Sequence, residues 1–321
     1  MPITAILFIL GFIFLIKGAD VLVDGATSLG TRYGLSSIVI GLTIVSFGTS
    51  MPELNINIIS SINGSSEIAI GNVLGSNMAN ILLILGAAAI IAPLPITKST
   101  YFIEIPFSLT ATLLVGFLAN ASFFGESARL FIGRKEGMLL LFFFFLFLYY
   151  IYRTAVRKKD ISIAHDEYKI MPINRSLIMI GLGIIGLYFG GKWVVEGAIH
   201  YANEFGISES FIGLTIISIG TSLPELVTSV VAARKGNTDI AVGNVVGSNI
   251  FNMLWILGIS AVIKPLPFNV VSNTDILMVI GASTLPLLVI VLGRKAQISR
   301  LEGVFFVLCY LAYIYYLVLR G

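Results

Sequence analysis

Ten stretches of predominantly apolar residues follow one another along this chain, near 3–30, 36–62, 67–92, 103–121, 136–153, 175–202, 208–233, 239–264, 274–293 and 301–320. About 20 such residues in a helix cross the hydrocarbon core of a bilayer. Lipid offers no partner for a backbone amide, so only helices and closed barrels span it. These runs are too long and too continuously apolar for barrel strands, which are short and alternate. The predicted fold class is therefore an all-α integral membrane protein with ten transmembrane helices. No basic segment precedes the first run, so it reads as a span rather than a cleaved signal peptide. Composition agrees: 12% of residues are charged, against roughly 25% in soluble domains.

Several function classes drop out at once. The net charge of +3 is small and the basic residues are dispersed, which argues against nucleic acid as a partner. Cys309 is the sole cysteine, and His165 and His200 are the only histidines, so a thiolate or imidazole metal site is not expected. No nucleophile–histidine constellation or phosphate-binding glycine loop is present. The chain is not expected to be an enzyme or to need a cofactor.

Lys and Arg are distributed unevenly between the two sets of loops. Thirteen lie in or beside the loops that follow the odd-numbered spans, and five on the other side. By the positive-inside rule the odd loops face the cytoplasm. The prediction is a multi-pass cell-membrane protein with both termini outside and a cytoplasmic linker at 153–174.

A shift of 172 positions lays the sequence on itself. Gly41-Leu42-Thr43-Ile44 matches Gly213-Leu214-Thr215-Ile216, and Gly48-Thr49-Ser50-Met51-Pro52-Glu53 matches Gly220-Thr221-Ser222-Leu223-Pro224-Glu225. Gly71-Asn72-Val73-Leu74-Gly75-Ser76-Asn77 matches Gly243-Asn244-Val245-Val246-Gly247-Ser248-Asn249. Between Gly41 and Asn80 there are 21 identities in 40 ungapped pairs, too many for chance resemblance of apolar helices. Residues 1–152 and 175–321 thus form two repeats of five spans each. Five is odd, so the second copy must cross the membrane in the opposite sense. That inverted plan is typical of secondary transporters with a binding site at the repeat interface near the midplane.

The chemistry concentrates in the second, third, seventh and eighth spans. Pro52 and Pro224 remove a backbone donor and break their helices, which frees carbonyls such as those of Ser46, Thr49, Ser218 and Thr221. Glu53 and Glu225 are mid-membrane carboxylates, which are costly and mark function. Ser50 with Glu53, and Ser222 with Glu225, also fit a capping box. A duplicated mid-membrane setting favours function over capping alone. Asn72, Ser76 and Asn80, like Asn244, Ser248 and Asn252, recur at i, i+4 and i+8 on one helix face. Interhelical hydrogen bonding is the plain alternative for these amides and hydroxyls. Carboxylates, hydroxyls, amide oxygens and free carbonyls make an all-oxygen set, suited to alkali or alkaline-earth cations.

Two copies of G-T-S-x-P-E, each followed by G-N-x-x-G-S-N, resemble the α-repeats of the calcium/cation antiporter superfamily, and the compact prokaryotic sodium/calcium exchangers most. The resemblance covers the whole chain. It implies exchange of Ca²⁺ against Na⁺ by alternating access, with Glu53 and Glu225 as ligands of both ions. The carbonyls of Thr49 and Thr221 would join them on Ca²⁺. Ser50, Ser76, Ser222 and Ser248, with the carbonyls of Ser46 and Ser218, would complete flanking Na⁺ sites, and Asn80 and Asn252 would face the centre. Potassium-dependent relatives carry Asp where Asn252 stands, which implies no K⁺ co-transport. A linker of about 22 residues is too short for a Ca²⁺-sensing domain. The expected partners are lipid and the two ions, with function as a monomer. The alternative is H⁺/Ca²⁺ antiport through the same two glutamates.

Outside these motifs, Lys17, Asp20 and Asp24, and Lys192 with Glu196, read as ion pairs along a helix. Phe142 to Phe145 read as a lipid-facing run. Tyr149, Tyr150, Tyr152, Tyr313, Tyr315 and Tyr316 read as an interfacial belt.

Overall fold

The computed structural model describes residues 2–121, 130–157, 170–205, 218–293 and 296–320. The first half contains α1 (Pro2–Arg32), α2 (Ser37–Thr49), α3 (Met51–Asn63), α4 (Ser66–Ile91), α5 (Thr100–Asn120) and α6 (Arg134–Arg157). The second contains α7 (Ile173–Glu204), α8 (Ser218–Thr221), α9 (Leu223–Arg234), α10 (Thr238–Ile263), α11 (Val270–Leu292) and α12 (Arg300–Arg320). Among the described residues, eight helices are long and apolar enough to cross a membrane, and the bent pair α2 and α3 makes a ninth. The start of the seventh predicted span, including Gly213-Leu214-Thr215-Ile216, lies outside the described residues.

α4 and α10 are mostly buried, whereas α1, α6, α7, α11 and α12 expose more than half of their apolar length. Side chains such as Phe102, Leu277 and Leu301 are largely uncovered on the outside of the bundle. An apolar shell around a polar middle is stable only with lipid as the outer solvent. Hence the two central helices carry Asn, Ser and Gly, and the peripheral ones carry Phe, Leu and Ile.

Contacts between the halves come in reciprocal pairs. Two-residue strands clip the loops together: β1 (Leu94–Pro95) pairs antiparallel with β4 (Gln297–Ile298), and β2 (Phe131–Ile132) pairs with β3 (Leu266–Pro267). Leu94 faces Ile298, and its repeat partner Leu266 faces Ile132. α1 crosses α7 where a Cβ on Gly11 would meet the Gly190 carbonyl at 3.0 Å, and one on Gly18 would meet that of Gly183 at 3.0 Å. Small residues allow such close approach between membrane helices. The turns after α3 and α9 use the repeat partners Gly64 and Gly236 at φ +79° and +78°, a left-handed conformation that favours glycine.

Three readings of the peripheral residues change. Asp20 and Asp24 bond not to Lys17 on their own helix but to Lys235 at the end of α9, each at 2.6 Å. The i, i+3 and i, i+4 spacing within one helix could not reveal a partner on another. Lys192 does lie 3.8 Å from Glu196. Phe144 is buried against Phe251 and Trp255, while Phe142 and Phe145 stay exposed. Tyr150 donates to Glu104 at 2.7 Å, so the tyrosines do not all form an outer belt.

Candidate cation site

Two helix breaks build the site. α2 ends at Thr49 and α3 begins at Met51, with a bend of 48° between them. Ser50 sits at the break with φ −82° and ψ 9°, and Ser222 at the second break with φ −89° and ψ 7°. Pro52 and Pro224 lie in the first turn of the following helix, where proline is tolerated because its missing donor is not needed. The capping-box alternative fails, because neither serine makes a side-chain cap. Instead Ser50 Oγ donates across the halves to Glu225 Oε1 at 2.9 Å and lies 3.0 Å from Ser248 Oγ. The Ser46 carbonyl, expected to be freed, accepts from Ser50 N–H at 3.0 Å and faces the Thr49 hydroxyl at 3.3 Å.

Glu53 and Glu225 are each 1% exposed. Both Glu53 oxygens and Glu225 Oε2 have no hydrogen-bond partner, and neither glutamate pairs with a Lys or Arg among the described residues. Buried charges without a partner carry a penalty of several kcal/mol each. Four neutral oxygens on these helices are unpartnered as well: Ser76 Oγ, Ser222 Oγ, Asn80 Oδ1 and Asn252 Oδ1 are buried with no hydrogen-bond partner. Thr49, Thr221, Ser50, Ser248 and Ser46 are buried in the same region. Ser218 opens α8, and its side chain lies outside what the structure describes.

A scaffold of amides holds these groups, and it obeys the repeat. Asn72 donates to Asn57 Oδ1 at 2.6 Å and to the Glu53 carbonyl at 3.5 Å. Asn244 donates to Ser229 Oγ at 2.9 Å and to the Glu225 carbonyl at 3.3 Å. Each amide oxygen then receives a threonine of the opposite half, Thr49 at 3.1 Å on Asn244 and Thr221 at 3.5 Å on Asn72. For Asn72 and Asn244 the hydrogen-bonding alternative is thus the observed one. Sequence reading missed Asn57 and Ser229, although each stands one helical turn after its glutamate. It also missed roles for Asn77 and Asn249, the last residues of the duplicated G-N-x-x-G-S-N.

A cavity of about 270 Å³ reaches the breaks from one side, lined by Pro52, Pro224, Thr221, Tyr188, Lys192 and Glu196 among others. At the repeat-equivalent position Ala19, Val23, Thr49 and Thr228 are fully buried, and Lys235 bridges Asp20 and Asp24 beside them.

Among the described residues no three of His, Cys, Asp or Glu converge, so the donors are two carboxylates with neutral oxygens. Such a set fits hard cations. A helical membrane bundle with that site at broken helices, reached by a cavity, is a secondary cation transporter. Comparison with known proteins narrows the class. The family described as sodium/calcium exchanger protein matches residues 3–153 and 175–319. The sodium/calcium exchanger MaX1 of Methanosarcina acetivorans is 33% identical, covering 96% of this chain and 97% of its own. The putative antiporter CaxA of Alkalimonas amylolytica is 35% identical over 99% of each chain. A structure of the sodium-calcium exchanger NCX_Mj, soaked with 10 mM Na⁺ and zero Ca²⁺, matches with a TM-score of 0.81 at 30% identity, over 98% of this chain and 99% of that one. The chain belongs to the sodium/calcium exchanger family, within the calcium/cation antiporter superfamily.

Proposed function

We propose that this protein exchanges Na⁺ for Ca²⁺ by alternating access, with ten spans arranged as two inverted five-helix repeats. The observation that carries this reading is the pair of buried, unpartnered carboxylates ringed by neutral oxygens. One Ca²⁺ neutralises both glutamates. Na⁺ ions can share the same carboxylates while using Ser50, Ser76, Ser222 and Ser248, so the two cargoes compete for one site. Thr49 and Thr221 would add backbone oxygens to the Ca²⁺ position. The reciprocal contacts between the halves support the inverted plan, and the basic odd-numbered loops support a cytoplasmic linker with both termini outside. A monomer suffices, because each half supplies its own half of the site.

If three Na⁺ move per Ca²⁺, as the family resemblance implies, each turnover carries one net charge. The membrane potential then contributes about 2.3 kcal/mol per 100 mV. The test is ⁴⁵Ca²⁺ uptake into proteoliposomes loaded with Na⁺, with K⁺-, choline- and acid-loaded vesicles as controls. Uptake should require internal Na⁺ and grow with an inside-positive potential. Uptake driven by a pH gradient without Na⁺ would transfer the protein to H⁺/Ca²⁺ antiport, with both glutamates carrying protons.

In this reading the 270 Å³ cavity is the outer access path and the Lys235 bridge closes the cytoplasmic one. A partly exposed ion pair of this kind is worth up to about 1 kcal/mol, or roughly fivefold in population. Lys235→Ala should therefore raise the inward-open population. In a Cys309→Ser, Thr228→Cys background, labelling by an impermeant maleimide from the cytoplasmic face should speed up about fivefold. An unchanged rate would remove Lys235 from the closure.

A further inference from the structure

Asn80 and Asn252, which the family resemblance turns toward the cation, each keep a buried and unpartnered amide oxygen, yet nothing intrinsic to asparagine selects that orientation. The terminal amide torsion is broad and roughly two-fold, and a flipped amide would present its N–H₂ to the cation. The selecting groups come from the opposite half. Asn80 Nδ2 donates to Asn249 Oδ1 at 2.9 Å, and Asn252 Nδ2 donates to Asn77 Oδ1 at 2.9 Å. A flip would set oxygen against oxygen in both pairs. Asn77 is held in turn, its Nδ2 donating to the Asn249 backbone carbonyl at 3.3 Å.

These pairs differ from ordinary interhelical amide contacts in the same molecule. Asn120 and Asn273 join α5 to α11 reciprocally, each Nδ2 on the other's Oδ1 at 2.7 and 2.9 Å. Both amides are used up there, as expected when the contact itself is the purpose. In the Asn80–Asn249 and Asn252–Asn77 pairs the donation runs one way, and the inner oxygen is left over. Asn80 and Asn252 also stand in π-helical turns, at Ala79–Ile84 and Phe251–Ile256, the wider turn often found at functional sites.

We propose that Asn249 and Asn77 are positioning residues: each holds a cation-facing amide of the opposite repeat with its oxygen turned inward, so the ligand set is complete only when the two halves are docked. This rests on the cation-site reading above. The test is a double-mutant cycle, reading the Ca²⁺ half-saturation of ⁴⁵Ca²⁺ exchange in proteoliposomes, with thermal unfolding as the measure of folding. Asn249→Ala should weaken half-saturation about tenfold, as should Asn80→Ala, while the double variant should be within about twofold of Asn80→Ala alone. Asn249→Asp, which keeps the acceptor, should not weaken it. Effects that multiply in the double variant, or an Asn249→Ala protein with unchanged half-saturation, would overturn the proposal. The Asn77→Ala and Asn252→Ala cycle puts the same question to the second amide should Asn249→Ala fail to fold. Half-saturation is read in whichever exchange mode the wild type shows. A proton-driven wild type would thus overturn Na⁺ coupling without touching this test.

Discussion

Glu53→Gln should abolish Ca²⁺ exchange while leaving the protein folded. Both Glu53 oxygens are buried and bonded to nothing in the protein, so the substitution breaks no structural hydrogen bond and removes a buried charge. What it deletes is half of the negative charge facing the cation. At an effective dielectric of about 20, a pair of unit charges about 4 Å apart is worth about 4 kcal/mol, so affinity for a divalent ion should fall at least about a hundredfold. Without added cation the variant should melt no lower than the wild type. Ligand-induced stabilisation requires binding, so the rise in melting temperature on adding Ca²⁺ should disappear. Glu225→Gln should behave alike, because the amide oxygen can still accept from Ser50. Exchange near the normal rate in either variant would show that the carboxylates do not hold the cargo.

Gly243→Val should be the most damaging substitution away from the ligands. α2 and α10 cross backbone to backbone: a Cβ on Gly243 would stand 2.7 Å from the Ile38 carbonyl and 3.0 Å from both Gly41 Cα and Leu42 N. These are backbone atoms and cannot swing away, so the helices must separate. Overpacking usually costs about 1–3 kcal/mol per site, and two extra methyl groups put Val at or above the upper end. The crossing also sets the distance between Ser50 on one helix break and Ser248 on α10, which lie 3.0 Å apart. Exchange should therefore fall about tenfold even for Gly243→Ala, and Gly243→Val should not yield folded protein. Gly281→Ala, where an added Cβ meets nothing within 4 Å, is the control and should transport normally. Normal thermal unfolding and transport by Gly243→Ala would mean that the crossing is looser than described.

Much of the candidate site was legible in the chain. Glu53 and Glu225 stood out because a carboxylate amid some 20 apolar residues has no cheap explanation, and Pro52 and Pro224 located the breaks from covalent chemistry alone. Duplication made both signals stronger. Asn57 and Ser229 escaped notice because a single polar residue one turn from a glutamate is common, and its value lies in meeting Asn72 and Asn244. The capping box was the wrong alternative for Ser50 because the spacing of a capping box says nothing about a carboxylate 175 positions away.

By itself the sequence determined the membrane setting, the helical class, the two-fold repeat, the helix breaks and the oxygen-only donor set. All of these follow from properties local to the chain: run length against bilayer thickness, residue chemistry and self-similarity. Only the tertiary structure decided that Lys235 rather than Lys17 satisfies Asp20 and Asp24, that a cavity meets the helix breaks while the repeat-equivalent residues are buried, and which way the four asparagines turn. Those outcomes depend on helix faces from opposite halves meeting within about 3 Å, the range of a hydrogen bond, and no spacing along one chain segment encodes that distance.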